Sequence, residues 1–337
     1  MPKRDPTAQI AVHRLVAPLS RGTLKRSTNP AFQARLLTFG VPRGHLHRAT
    51  HASTGAGYVS PMPELPDVEG FRRTLRRAAG RTLERVDVLD GGVLRDVSAA
   101  ELRARLDGAV LATPRRHGKH LVAPLRAPGR RHRSTEPSIL FHFGMTGALT
   151  WVTDDSARHR HDRVVFVTDG GELRYRDMRK LQGIRLAGDD SAVDRVLART
   201  GPDAASVTVE EFTERLAPTR RQLKAALMDQ AVLAGLGNLL VDEILWRARL
   251  HPRTTTADLG DTDYRRLHAR MMTTLRQASP TGRVPDHAGW LTGRRDQPGG
   301  SCPRCGASLA RGRVAGRATV WCPRCQPAQP TSRACSV

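Results

Sequence analysis

Met62-Pro63-Glu64-Leu65-Pro66-Asp67-Val68-Glu69 is the stretch around which the chain is organised. As local structure it reads as a helix entry. Glu64 stands near the start, Pro66 takes a first-turn position that tolerates a missing N–H, and Asp67 and Glu69 lie near the positive end of the dipole. Val68, Phe71 and Leu75 then share one face, and Gly80 stops the helix. The octapeptide also reads as a buried start. With Met62 removed, Pro63 would offer a secondary amine, a good nucleophile toward a sugar C1′ or an aldehyde, with Glu64 beside it to move protons. Such amines titrate near pH ~8, so free base is available at neutrality. An internal prolyl nitrogen is a tertiary amide without that reactivity, so this reading requires residues 1–61 to be absent from the working protein.

Charge narrows the class of partner. The 337 residues suffice for two or three domains, and 55 Lys and Arg against 32 acids give a net +23. That balance favours a polyanion, most simply nucleic acid, although a GC-rich genome also inflates Arg. No apolar run approaches the length of a membrane span, and aromatics at 4% argue against rows of stacking rings. Residues 1–61 alone hold nine Lys or Arg and a single acid, Asp5, without a sustained apolar period. A basic arm or a transit peptide fits that composition; we favour upstream sequence from a mis-called start, and expect a cytoplasmic, nucleoid-associated protein.

After the first helix the pattern to about Leu186 is strand-like, with short alternating runs at 85–89, 120–123, 138–143 and 163–167. Asp169-Gly170-Gly171 followed by Glu172–Arg176 is a hairpin signature. The expectation is an α+β multidomain protein: a basic extension 1–61, an N-terminal helix plus a β-sandwich or barrel over 62–187 (the sandwich being what the resemblance below implies), a linker 188–205, a helical domain 206–285, a zinc ribbon 290–326 and a tail 327–337. Gly235-Leu236-Gly237-Asn238 opens a helix whose N-terminal N–H groups a phosphate can approach, though such a turn more often only joins helices. Cys302-Pro-Arg-Cys305 and Cys322-Pro-Arg-Cys325, 16 residues apart, have the spacing of a two-knuckle structural zinc site, with Cys335 left over.

These pieces, in order along the chain, resemble the formamidopyrimidine-DNA glycosylase / endonuclease VIII family of base-excision repair enzymes. The carrying motifs are Pro63–Glu69, Arg115-Arg116-His117-Gly118-Lys119, His142–Gly147, Arg174–Arg179, Leu223-Lys224 through Gly235–Asn238 to Glu243, His251-Pro252 and the four cysteines. The resemblance implies a helix–two-turns–helix domain beside the sandwich and a bifunctional DNA glycosylase/AP lyase. It would act as a monomer on double-stranded DNA carrying a damaged base or an abasic site. Pro63 would attack C1′ of a flipped nucleotide, Glu64 would act as acid, and Lys119 and Arg317 would serve the first and second eliminations. Met145 would wedge into the stack and Arg179 would face the orphaned base, with Leu181 standing where relatives carry Phe. His161, Arg220, Lys224 and Asn238 match DNA-contact positions, and Cys302, Cys305, Cys322 and Cys325 would hold one zinc ion. Two other classes stay open: a non-catalytic DNA-binding or damage-sensing protein if residues 1–61 are retained, and an RNA-binding zinc-ribbon protein.

Overall fold

The computed structural model describes residues 62–328, so the basic extension and Cys335 lie outside the described residues. Helix α1 (Leu65–Arg76) forms where the octapeptide predicts. It ends before Gly80 because Arg77, Ala78 and Ala79 donate to carbonyls three residues back, the tightened last turn that satisfies orphan groups at a helix end.

The strands that follow make two antiparallel sheets. In chain order they are β1 (Leu83–Val88), β2 (Val110–Leu111), β3 (Arg115–His117), β4 (His120–Arg126), β5 (Ser138–His142), β6 (Ala148–Val152), β7 (Asp162–Thr168), β8 (Gly171–Arg176) and β9 (Gly183–Ala187), with α2 (Ala99–Leu106) between the first two. One sheet runs β1-β7-β8-β6, the other β2-β4-β5-β9 with β3 paired to β4. Asp169-Gly170 closes the β7–β8 hairpin against the pair Thr168 and Gly171. Val86, Phe166 and Tyr175 from one sheet meet Leu121, Ile139 and Phe141 from the other in a single core, as period-two alternation with one buried face requires.

The second half is helical: α3 (Asp190–Leu197), α4 (Val209–Leu216), α5 (Leu223–Met228), α6 (Asn238–Ala248), α7 (Asp261–Ala278) and α8 (Thr292–Arg295). Its own core gathers Phe212, Leu227, Leu240, Ile244, Leu267 and Met271. Helix α1 belongs to both cores. Leu65 packs in the helical one, while Val68 and Leu75 pack in the sandwich. Among the described residues no helix is long and apolar enough to cross a membrane.

A hairpin of β10 (Ala310–Val314) and β11 (Arg317–Trp321) is the last element among the described residues. It is fastened to the helices by a buried ionic cluster. Asp242 of α6 accepts from Lys224 Nζ at 2.6 Å, from Arg295 and from Val320 N at 3.1 Å. Lys224 and Arg295 also donate to Ala318 O, at 3.0 and 2.9 Å. Removing one partner of such a cluster leaves charge stranded away from water. Asp242→Ala should therefore destabilise the protein by about 3–5 kcal/mol, read as a lowered urea midpoint.

Candidate active site and nucleic-acid interface

Glu64 is the centre of the site. Although charged in type, it is 1% exposed, and its carboxylate sits on the N-terminus of α6. Gly237 and Leu240 donate their N–H groups to Oε2 at 3.0 and 3.1 Å, and Leu239 donates to Oε1 at 2.8 Å. Those are donors a helix start leaves orphaned, and the dipole favours an anion there. Gly237 is needed for space, since a Cβ would lie 2.3 Å from Glu64 Cδ. Of the two readings open for the Gly235–Asn238 turn, a phosphate approach and a joining turn, the first meets an occupied place, since the chain's own carboxylate takes these N–H groups.

Around Glu64 the charges are arranged in depth. Asp67 Oδ2 accepts from Glu64 N at 2.9 Å, and burial pushes the Asp67 carboxyl up to about 7, with the Glu64 charge adding to the effect. Burial also raises Glu64, against the pull of Lys119 and the three N–H groups. Lys119, half-buried in the turn between β3 and β4, is held below the ordinary lysine range by burial, with Glu64 opposing and Arg317 adding. Arg317 is exposed at the tip of the β10–β11 hairpin. Three distant segments, at 64, 119 and 317, therefore converge, with Pro63 buried beside Glu64. His120 and His142 pack edge-on at 4.9 Å near Lys119, and burial pushes them down to about 4 and about 3, so both are neutral at pH 7.

The loops after β5 and β8 form a second group. Asp177, 1% exposed, accepts from Thr146 Oγ1 at 2.6 Å and from Arg179 N at 3.0 Å. That tie brings Met145 and Arg179 together, with Arg179 Nη1 3.0 Å from Met145 Sδ. Met178 and Leu181 flank Arg179 with 55% and 50% of their surface exposed. Apolar side chains left so open on a polar rim mark a contact surface. His161 Nδ1 lies 3.1 Å from Arg163, whose Nε donates to Asp177 O at 2.7 Å. Asn238 is the first residue of α6, its Oδ1 buried without a partner. Arg220 is exposed, with a left-handed backbone (φ 47°) just before α5.

The four cysteine sulfurs lie within 4.8 Å of one another, with Sγ–Sγ distances of 3.8 Å for 302–325 and 3.5 Å for 305–322 and 305–325. A tetrahedral zinc with Zn–S bonds of about 2.3 Å has edges of roughly 3.8 Å, so the donor set fits one structural ion. Trp246 Nε1 donates to Cys302 Sγ at 3.3 Å and orients that ligand. A larger cleft, about 840 Å³, opens at the far end of α6 beside Arg249, Arg266 and Arg304. Arg266 and Arg304 donate there to the carbonyls of Ala248 and Trp246, so they cap a helix C-terminus away from Glu64.

Comparison with known proteins places this geometry. Three family models match in chain order: the formamidopyrimidine-DNA glycosylase N-terminal domain over residues 62–184, its H2TH domain over 199–284, and the zinc finger found in FPG and IleRS over 299–328. The formamidopyrimidine-DNA glycosylase of Symbiobacterium thermophilum is 38% identical over 283 residues, covering 79% of this chain and 90% of the relative. That of Geobacillus kaustophilus is 34% identical, over 79% of this chain and 100% of the relative. The chain belongs to the formamidopyrimidine-DNA glycosylase family. The Lactococcus lactis glycosylase bound to DNA containing an AP site superimposes with a TM-score of 0.68 at 28% identity, covering 79% of this chain and all of that one. The same enzyme with Fapy-dG DNA gives 0.69.

Within this glycosylase scaffold one expected contact moves. Lys224 is 0% exposed and spends its ammonium on Asp242 and Ala318 O, so it fastens the ribbon instead of facing DNA. Asp67, Asp177 and Asp242 organise the site, yet the sequence reading passed over their contacts. Asp67 closes a capping box with Glu64 three residues back, while Asp177 and Asp242 also accept from segments far away in the chain, which no local spacing reveals.

Two outcomes follow from the buried carboxyls. Gly237→Ala drives the Glu64 carboxylate off α6 while leaving an extended backbone legal, and should slow base excision about 100-fold in single-turnover assays. The second concerns pH. Folded Asp67 keeps its proton up to about 7, whereas the unfolded chain releases it near 3.8, so its stabilising contribution is complete below that lower value and is lost as pH rises through about 7. Asp67→Asn keeps the acceptor for Glu64 N and removes this slope. The wild-type-minus-variant difference in Tm should therefore fall by a few degrees between pH 4 and 7.

Proposed function

We propose that this glycosylase excises oxidised bases from double-stranded DNA through a Schiff base at Pro63 and nicks the strand by β,δ-elimination, acting as a monomer in the cytoplasm. The reading takes the working protein to begin at Pro63. Its free secondary amine attacks C1′ of a flipped nucleotide, the glycosidic bond breaks, and the base departs. Glu64 supplies the proton that opens the sugar ring, leaving an iminium between Pro63 and C1′. Lys119 serves the first elimination. Arg317, on the other flank, steadies the phosphate lost in the second, a charge-stabilising role suited to a cation.

The observation that carries the reading is the buried carboxyl of Glu64, raised above the ordinary carboxylate range by burial and fixed beside Pro63 and Lys119. A general acid works best with its pKa near the operating pH. Met145, Arg179 and Leu181 form the apolar and cationic edge that fills the gap left by an extruded base and meets its partner, at a cost of a few kcal/mol for unstacking. His161, Arg220 and Asn238 hold the DNA around them.

Borohydride trapping on abasic duplex DNA tests this. Protein beginning at Pro63 should give a covalent adduct, protein carrying all upstream residues none, and Pro63→Gly at least about tenfold less. No adduct from protein that begins at Pro63 would overturn the chemistry and leave a DNA clamp. N-terminal sequencing of the native protein identifies which form cells contain.

A further inference from the structure

Lys119 has no secondary structure of its own to fix it. It sits in the two-residue turn Gly118-Lys119 between β3 and β4, and Gly118 is left-handed (φ 54°). Both peptide groups of Gly118 are held from outside. Its N–H donates to Asp203 Oδ2 at 2.7 Å, and its carbonyl accepts from Arg116 Nη1 at 3.0 Å. Arg116 in turn grips both oxygens of Asp203, at 2.6 and 3.2 Å, with side chains only 11% and 10% exposed. One residue earlier in the turn's approach, His117 Nε2 lies 3.0 Å from Thr200 Oγ1 and from Gly201 O.

Asp203 also faces the other way. Its backbone bridges Ala234, flanked by Ala204 N to Ala234 O and Ala234 N to Pro202 O, each 2.9 Å. Ala234 leads into the loop whose Gly235 O accepts from Leu65 N at 3.0 Å and whose Gly237 N donates to Glu64. A Cβ on Gly118 would lie 2.6 Å from Ala234 Cβ, so turn and loop touch directly. One residue thus holds the lysine turn by its side chain and the glutamate loop by its main chain.

We infer that Asp203 is a positioning residue for Lys119, setting the lysine's turn against the loop that seats Glu64. This rests on the role given to Lys119 above. A buried bidentate carboxylate–guanidinium pair is rigid in direction as well as distance, and a displacement of about 1 Å at a reacting group costs on the order of 100-fold in rate. Glu69 stands 3.5 Å from Arg116 Nε and braces the guanidinium from α1.

The test pairs kinetics with a direct view of the lysine, in protein beginning at Pro63. Asp203→Ala should lower kcat for cleavage of abasic duplex about tenfold or more, with KM within about threefold. In a Lys119→Met background it should cause no further loss, because both changes remove the same thing. Where Lys119→Met is itself impaired, a multiplied loss or an unchanged kcat for Asp203→Ala overturns the inference. Three lysines lie beyond Met62, at 119, 180 and 224, so carbon-13 labelling at lysine Cε resolves the Lys119 titration. Asp203→Ala should move it up toward the ordinary lysine range as the turn opens to water. An unmoved titration overturns the inference whatever the kinetics. Should Lys119→Met cut at the wild-type rate while the titration still moves, the chemistry assigned to Lys119 fails and the positioning stands. If Asp203→Ala does not fold, Asp203→Asn, which still accepts from Gly118 N, carries both measurements with a smaller expected change.

Discussion

The fold hangs on one carboxylate seated on one helix end. Glu64 takes three N–H groups at the start of α6, so the head of α1 and the head of α6 are joined through a charge-assisted contact that water does not reach. Without it α6 would begin with orphaned donors in a buried place, and the residue beside Pro63 would have no fixed direction. The clasp works because α1 is anchored at both sides. Leu65 lies in the helical core, and Val68 and Leu75 lie in the sandwich, so the helix cannot tilt without opening one of them.

The same solution recurs wherever two parts of the chain meet. Asp203 joins the lysine turn to the helical half, Asp177 joins the two loops that carry Met145 and Arg179, and Asp242 joins the ribbon to α6. Each carboxylate accepts from donors on two or more segments. Apolar packing in these places would bind as well or better, since burying ions costs desolvation. It would fix distance without fixing direction, and the chemistry here depends on direction.

How much of this the sequence disclosed follows the range of each interaction. The first helix, the β7–β8 hairpin and the four-cysteine site rest on periods, turn residues and spacings within a few tens of residues, and they read directly. The fold class and the zinc were legible for that reason. Lys224, which the resemblance puts at a DNA-contact position, is held instead by Asp242 and Ala318 O, 18 and 94 residues away, and no motif spacing shows partners so distant. At Gly237 spacing leaves a phosphate opening and a plain joining turn both possible, because it shows the missing Cβ but not the Glu64 carboxylate that fills the space. The joining aspartates at 177 and 203 show locally only as turn residues that accept from the N–H two positions on, and nothing nearby marks the distant segments they hold.

Dryness sets the acid–base character of the site. Burial raises Glu64 and Asp67 and lowers Lys119, so two acids and a base that differ by several units in water are drawn toward one another. Two carboxyls this close do not both ionise freely, and the lysine between them and Arg317 feels opposite pulls. The tuning comes from packing, because what excludes water from Glu64 is α1 held in two cores. A change that loosens either core should alter the chemistry before it unfolds the protein, since a single water admitted to α6's first turn would compete for the N–H groups that hold the acid in place.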